Sequence, residues 1–351
     1  MNQEALAISL RSIMKYAFII LADLAVLTGC AKEELLNIEY DNSDSTEITF
    51  NVAPVTKCVT DTFASTSVFE TNAYYLSSDS DWATSASDGV EYIPDGRVSW
   101  EDNAWRLEKA YNWPEAGGNL TFYSWTLNRD NLDFNPQSGA AVSIDPVKGV
   151  CLKNFDISLD SNLDFMVASA AVDKSGNGSN TNGVTTQFKH QLSCVHVTAR
   201  TSEDYTASKE FHITSIVMKN VAEEADYQQS TCEDGVWSEI HQWTVNETSD
   251  AIYGDYSSNP VTITAETTEL PGEREMYIPQ TFTEDEGYLQ VSYTIKDLYS
   301  GLVENITENI ALGSIIAESG FSNGKRYTIN ITIGLDSVFW TPAQADWKEA
   351  A

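Results

Sequence analysis

Tyr327-Thr328-Ile329-Asn330-Ile331-Thr332-Ile333, residues 327–333, alternates apolar and polar side chains through seven positions. In an extended chain successive side chains point to opposite faces. Tyr327, Ile329, Ile331 and Ile333 therefore share one face, and the Thr and Asn residues share the other. A helix would scatter the same residues around its circumference. The period recurs at residues 47–52 (Glu-Ile-Thr-Phe-Asn-Val), 120–125 (Leu-Thr-Phe-Tyr-Ser-Trp), 195–199 (Val-His-Val-Thr-Ala) and 289–295 (Leu-Gln-Val-Ser-Tyr-Thr-Ile). These runs are rich in Val, Ile, Thr and aromatics, the residues that suit a half-buried pleated surface. Turn-forming clusters lie between them, at Asp95-Gly96, Gly117-Gly118-Asn119 and Asn323-Gly324. Few segments sustain a helical period. The pattern predicts an all-β chain built of sandwiches, each sheet with one dry face.

At 351 residues, 42% of them hydrophobic, the chain is long enough for two domains with packed cores. The turn-rich stretch at residues 173–183 (Asp-Lys-Ser-Gly-Asn-Gly-Ser-Asn-Thr-Asn-Gly) sets the expected boundary: one sandwich over 46–183, a second over 184–351. A long surface loop inside the first domain is the alternative. Fifty-two Asp and Glu against 20 Lys and Arg give a formal charge of −32. Such a surface repels phosphate backbones, and with no basic stripe nucleic acid is excluded as a partner.

The N-terminal segment reads as an address rather than as fold. Met14-Lys15 is a short positive start and a possible true initiation site; the residues after it are apolar. Leu27-Thr28-Gly29-Cys30 resembles the bacterial lipobox, where a peptidase cuts before a lipid-modified Cys. Residues 1–29 are then a signal peptide, Cys30 the lipidation site, and 30–45 an acidic tether to the outer-membrane lipid. Asp23 departs from the pattern, since a charge costs roughly 3 kcal/mol at the centre of an inserted helix. Lys32-Glu33-Glu34 resembles the short signal that sends some lipoproteins to the outer face of the outer membrane; a charged linker is the equal alternative.

Catalytic signatures are missing from the sequence: no HExxH, GxSxG, Walker or GxGxxG motif occurs. Asp173, Ser175, Asn177 and Gly178 begin like a calcium loop, but Val184 stands where the twelfth-position Glu belongs, so a Gly/Asn turn is the better reading. Asp79, Asp81 and Asp88 around Trp82 read as a solvated loop. His190 and His196 could meet near a sheet edge without an evident third ligand. The many carboxylates make chance acid pairs inevitable. Neither a metal nor a cofactor is expected. Setting Cys30 aside, Cys58, Cys151, Cys194 and Cys232 allow three disulfide connectivities or free thiols.

Seven stretches in order resemble the fimbrillin family, the Mfa-like and FimA-like subunits of type V pili. They are the lipobox; a strand at 48–52 followed by Thr56-Lys57; Trp105 with Tyr111-Asn112-Trp113-Pro114 and the 120–125 strand; Leu163-Asp164-Phe165-Met166-Val167-Ala168; residues 188–197; Ile278-Pro279-Gln280; and residues 321–327 with Asp346-Trp347. The resemblance implies two tandem transthyretin-like β-sandwiches behind a lipoprotein signal peptide. It also implies export to the cell surface, cleavage by a trypsin-like protease, and polymerisation with other pilus subunits, alike or different, by donor-strand exchange. Carried onto this chain, the cut follows Lys57, where the family more often has Arg. The displaced strand presents Ile48, Phe50 and Val52. The donor strand near the C-terminus presents Val338 and Trp340, unless this is only the last strand of its own domain. On this reading the protein is a non-catalytic pilus subunit or tip adhesin. A monomeric surface lipoprotein that binds glycans or host ligands on exposed Trp and Tyr is the alternative. An enzyme of glycosidase type is the third reading, with no motif to carry it.

Overall fold

The computed structural model describes residues 47–52, 67–115, 117–127, 138–159, 163–168, 170–173, 183–283, 286–316, 320–335 and 338–346. Cys30, Lys57, the Lys32-Glu33-Glu34 run and most of the turn-rich stretch after Asp173 lie outside them.

The strands run in chain order β1 (Thr49–Val52), β2 (Val68–Leu76), β3 (Val90–Glu101), β4 (Ala104–Leu107), β5 (Asn119–Thr126), β6 (Ala141–Asp145), β7 (Gly149–Asp156), β8 (Met166–Ala168), β9 (Ala171–Asp173), β10 (Val184–Thr186), β11 (Phe188–His190) and β12 (Ser193–Thr201). They continue β13 (Lys209–Glu233), β14 (Val236–Asp255), β15 (Val261–Ile263), β16 (Thr268–Leu270), β17 (Met276–Tyr277), β18 (Gln280–Thr281), β19 (Tyr288–Asp297), β20 (Val303–Ala311), β21 (Gly320–Phe321), β22 (Lys325–Ile333) and β23 (Val338–Asp346). Two single-turn helices, α1 (Trp82–Ser85) and α2 (Leu312–Ile315), interrupt them. The fold is all-β, as the alternation predicts.

The first large sheet has the order β10-β1-β4-β3-β2-β5-β8-β11, with β9 also on β5. Its two end strands, β10 and β11, are separated in sequence only by Gln187. The sheet therefore curls back on itself around a core that draws Ile48, Phe50, Phe69, Val98, Trp105 and Phe122 from its own strands. A second sheet, β16-β12-β22-β23, carries β17 on β12. It packs Val195, Val197, Ile329 and Ile331 against Ile213, Ile216, Val291 and Tyr293 of the third sheet. That third sheet is β20-β19-β13-β7-β6, with β14 and β15 also on β13. In β22 the inward residues are Tyr327, Ile329, Ile331 and Ile333, the face read from the sequence.

The alternation implies a half-buried β5, yet all eight of its residues are buried. Leu120 and Phe122 enter the curled-sheet core, while Tyr123 and Trp125 enter a middle core with Phe155, Phe165 and Tyr227. Both faces of this strand are dry because a second layer, β7 and the far half of β13, covers the outside of the curled sheet.

Strands on either side of residue 183 share sheets: β1 with β10, β8 with β11, and β7 with β13. The 25-residue β13 joins the core between the second and third sheets to the middle core. Fully extended it would reach roughly 80 Å. From Lys209 to Lys219 it pairs with β19, and from Glu224 to Gln228 with β7. Where it changes partner, Asn220 turns to φ 55° and the ladder to β14 slips. Backbone groups at this elbow are satisfied by side chains. The Gln280 Oε1 accepts from Ala222 N at 3.1 Å, and the buried Arg274 donates to Ala222 O at 3.2 Å. Arg274 also lies over the Tyr277 ring, 5.1 Å from its centroid. The far end of β13 turns into β14 through Asp234 and Gly235, both at positive φ, the two-residue hairpin that matches strand twist.

Asp95-Gly96, expected as a turn, lies inside β3. It forms a bulge: Thr71 faces Gly96 and Ala73 faces Ile93, with Asp95 at φ 43°. Asp81 caps α1, accepting from Ala83 N at 3.0 Å, and Trp82 is buried in the middle core rather than held in a solvated loop. Cys151 is a buried free thiol, Cys232 an exposed one, and Cys194 is disulfide-bonded.

Replacing Arg274 by Leu removes the donor to Ala222 O while keeping bulk. The expected cost is about 1–3 kcal/mol, the penalty for an unsatisfied buried carbonyl, read as a lower urea midpoint.

The first-strand groove as candidate functional site

β1 has only four residues but occupies an inner position. On one side it runs antiparallel to β4, with Thr49 opposite Arg106 and Phe50 opposite Trp105. On the other it runs parallel to β10, with Phe50, Asn51 and Val52 opposite Val184, Thr185 and Thr186. Ile48 is fully buried, Phe50 is 4% exposed, and Val52 is partly buried against the same core. Asn51 points to solvent. The three residues named from sequence thus share the inward face.

Phe50 is held edge-on by two rings, Phe69 at 5.5 Å and Phe122 at 5.8 Å between centroids. Phe69 in turn meets Trp105 and Phe188, so the socket is aromatic to a second layer. Gly183 makes the parallel approach of β10 possible. A Cβ there would lie 2.9 Å from the carbonyl carbon of Phe50, and the residue sits at φ +75°.

A strap over residues 109–113 closes the start of β1. Ile48 N donates to Tyr111 O at 2.8 Å, and Glu47 bridges to Asn112. The Tyr92 hydroxyl donates to Asn112 O at 2.7 Å; burial pushes its pKa up, so it stays protonated for that bond. Lys109 lies over the Tyr111 ring, and Trp113 packs on Phe122. Outside the socket Arg106 pairs with Glu47 at 2.6 Å, both about a quarter exposed. The sequence motif covers Tyr111, Asn112 and Trp113 of the strap, but neither the Glu47–Arg106 pair nor the close approach at Gly183. The signal for Gly183 was its place at the end of the turn-rich run, immediately before the first residue of β10.

Val338 and Trp340 stand on β23, which pairs with β22 along its whole length; Val338 faces Ile333 and Trp340 faces Ile331. Val338 is partly buried against the core between the second and third sheets. In the structure β23 is thus the last strand of its own sheet, and it is an edge strand with one neighbour.

The other candidate side chains have partners within the fold. The His190 Nδ1 lies 3.0 Å and 2.9 Å from the two oxygens of Asp164, both side chains buried. His196 faces Glu275 at 3.8 Å, and His241 bonds the Tyr227 hydroxyl at 2.7 Å. Among the described residues no group of three or more His, Cys, Asp or Glu is placed to hold a metal. Trp82, Trp105, Trp113 and Trp125 are buried. Trp100, Trp237 and Trp243 pack partly against cores. Among the described residues no helix is long and apolar enough to cross a membrane.

Phe50→Ala leaves a void in the aromatic socket without changing the ladder. It should cost about 3–5 kcal/mol, measured by urea unfolding of the uncleaved chain.

A comparison with curated proteins finds no match. Among solved structures the chain resembles a fimbrial protein from Bacteroides vulgatus: TM-score 0.67 at 15% identity, over 87% of this chain and all of that one. A fimbrial assembly protein from Parabacteroides distasonis matches with TM-score 0.39 and 12% identity, over 86% of this chain and 97% of that one. The first likeness concerns the fold. The fimbrillin-like family model matches residues 45–347, from just before β1 to just beyond β23, and the chain belongs to the fimbrillin-like family.

Proposed function

We propose that the chain is a non-catalytic subunit of a cell-surface fibre, a pilus subunit or adhesin, assembled by strand exchange at the β1 position. The observation that carries this reading is the two-sided pairing of a very short strand whose inward side chains are buried. Removing β1 would leave two ladder edges and an aromatic socket open to water. Unpaired edges and exposed apolar grooves are templates for another strand.

Magnitudes favour exchange only after a cut. Burying Ile48 and Phe50 contributes roughly 1.5–3 kcal/mol each relative to exposure. The backbone bonds and the Glu47–Arg106 pair add a little more, since a partly exposed ion pair is worth about 0–1 kcal/mol. While β1 is joined to β2 this suffices, because docking is intramolecular. Once cleaved after Lys57, β1 must bind as a separate peptide. It then faces an association cost of about 4–15 kcal/mol, comparable to all it gains. A longer strand from another subunit then displaces it.

β23 is suited to that role. It has nine residues to β1's four, and as an edge strand it has one ladder to break, that with β22. With Val338 and Trp340 in the places of Ile48 and Phe50, the alternation puts Thr341, which is exposed, in the place of Asn51. Cys30 delivers the precursor to the membrane surface through its lipid. Cleavage after Lys57 by a trypsin-like protease then parts the mature body from its tether. Binding partners are other pilus subunits.

Lys57→Ala should therefore abolish the ladder of subunit multimers on cells while the lipidated precursor still reaches the surface. Surface proteolysis and immunoblotting read both; unchanged fibres would remove the cleavage step.

A further inference from the structure

The turn between β19 and β20 displays four large apolar residues in a row of six: Leu298 is 40% exposed, Tyr299 83%, Leu302 71% and Val303 48%. Ser300 and Gly301 complete the run, which has no charge. Isolated exposed apolar residues need no explanation, but a contiguous set on a built loop does.

The turn is held rigidly. One carboxylate oxygen of Asp297 accepts from Tyr299 N at 3.1 Å, Ser300 N at 2.8 Å and the Ser300 hydroxyl at 2.9 Å. Its other oxygen pairs with Lys209 at 3.0 Å. Asp297 N donates to Leu302 O and Gly301 N to Asp297 O, both at 2.8 Å, with Gly301 at φ +73°. Leu298 N donates to Ser208 O at 2.9 Å. The apolar side chains are thus presented on a preformed frame, which lowers the ordering cost of any contact they make.

Position identifies the partner. The short connection from Ser202 to Ser208 ties this turn to the start of β23. Its first residue, Ser202, donates to Ile333 O, and Ile333 is the ladder partner of Val338. Its last, Ser208, accepts from Leu298. Leu335, 46% exposed, lies between Ile333 and Val338. If β23 leaves β22 to enter another subunit, it hinges at this pole and brings that subunit's body against it. Charge points the same way. Two copies of so acidic a chain repel wherever their acidic surfaces approach. A charge-free apolar turn is a place where they can meet without that cost.

We infer that the Leu298–Val303 turn is a docking knob for a second copy of this chain, the next subunit of the fibre, with Tyr299 and Leu302 as its anchors. The inference rests on the strand-exchange reading for the partner's direction of approach.

The test places a photo-crosslinking benzoylphenylalanine at Tyr299 of the full chain on cells. Irradiation is expected to give a chain-to-chain adduct. Tyr299→Glu with Leu302→Glu is expected to reduce multimers above the dimer about tenfold or more, the loss that follows from removing one hot-spot residue. No adduct, or adducts only with lipid, glycan or another protein, would overturn the knob, as would a full ladder in the double variant. The two readings fail separately. If adduct and ladder persist in Lys57→Ala, strand exchange falls and the knob stands. If a Lys57-dependent ladder forms without the adduct, the knob falls and strand exchange stands.

Discussion

The curled sheet needs a strand between β4 and β10, and everything at that end of the molecule is arranged around that need. Phe50 closes the aromatic socket, and the two ladders close the ring of strands whose end members are joined by Gln187 alone. Nothing in the geometry requires that the strand be attached to the chain it completes. Four residues with alternating apolar side chains satisfy both edges. Packing specifies the shape of the occupant, and the peptide link specifies only its source. A protein with this property is complete while the link lasts and complementary to a partner once it is gone.

β13 answers a different demand. If the subunit gives a strand from one end and receives one at the other, as proposed, it has to keep the two ends in a fixed relation. Here one backbone runs from the core beside β23 into the middle core that backs the curled sheet, and changes neighbours at an elbow whose orphaned groups are met by Arg274 and Gln280. A flexible linker would leave that relation loose; a continuous strand with a capped kink does not.

Much of this was legible in the sequence, for a definite reason. Where one face of a strand meets a core, period-two alternation survives, and β1, β12, β19 and β22 were read close to their observed bounds. The long hairpin of β13 and β14 was not. Its register slips at several bulges, so the phase of the alternation resets before any run is long enough to notice. β14 is also mostly exposed, so its pattern carries little hydrophobic signal. Asp234-Gly235 was the available clue, a hairpin dipeptide of the kind that is strong when flanked by strand-like residues. At Asp95-Gly96 the same dipeptide misled, because a bulge and a turn ask for the same backbone freedom. The inward face of β1 came from alternation alone, and its exchange role from the family pattern. Its two-sided pairing depends on β10, more than 130 residues downstream, and no local pattern reports that.

Whether a neighbour's β23 takes the place of β1 is read directly by a site-specific cystine. Thr185 is the outward ladder partner of Asn51, and Thr341 is the residue that exchange would set in Asn51's place. In a chain carrying Thr185→Cys and Thr341→Cys, fibres on cells should contain disulfide-linked multimers. Reduction should dissolve the links, and each single variant should lack them. Fibres that assemble normally with these positions unlinked between chains would contradict the account.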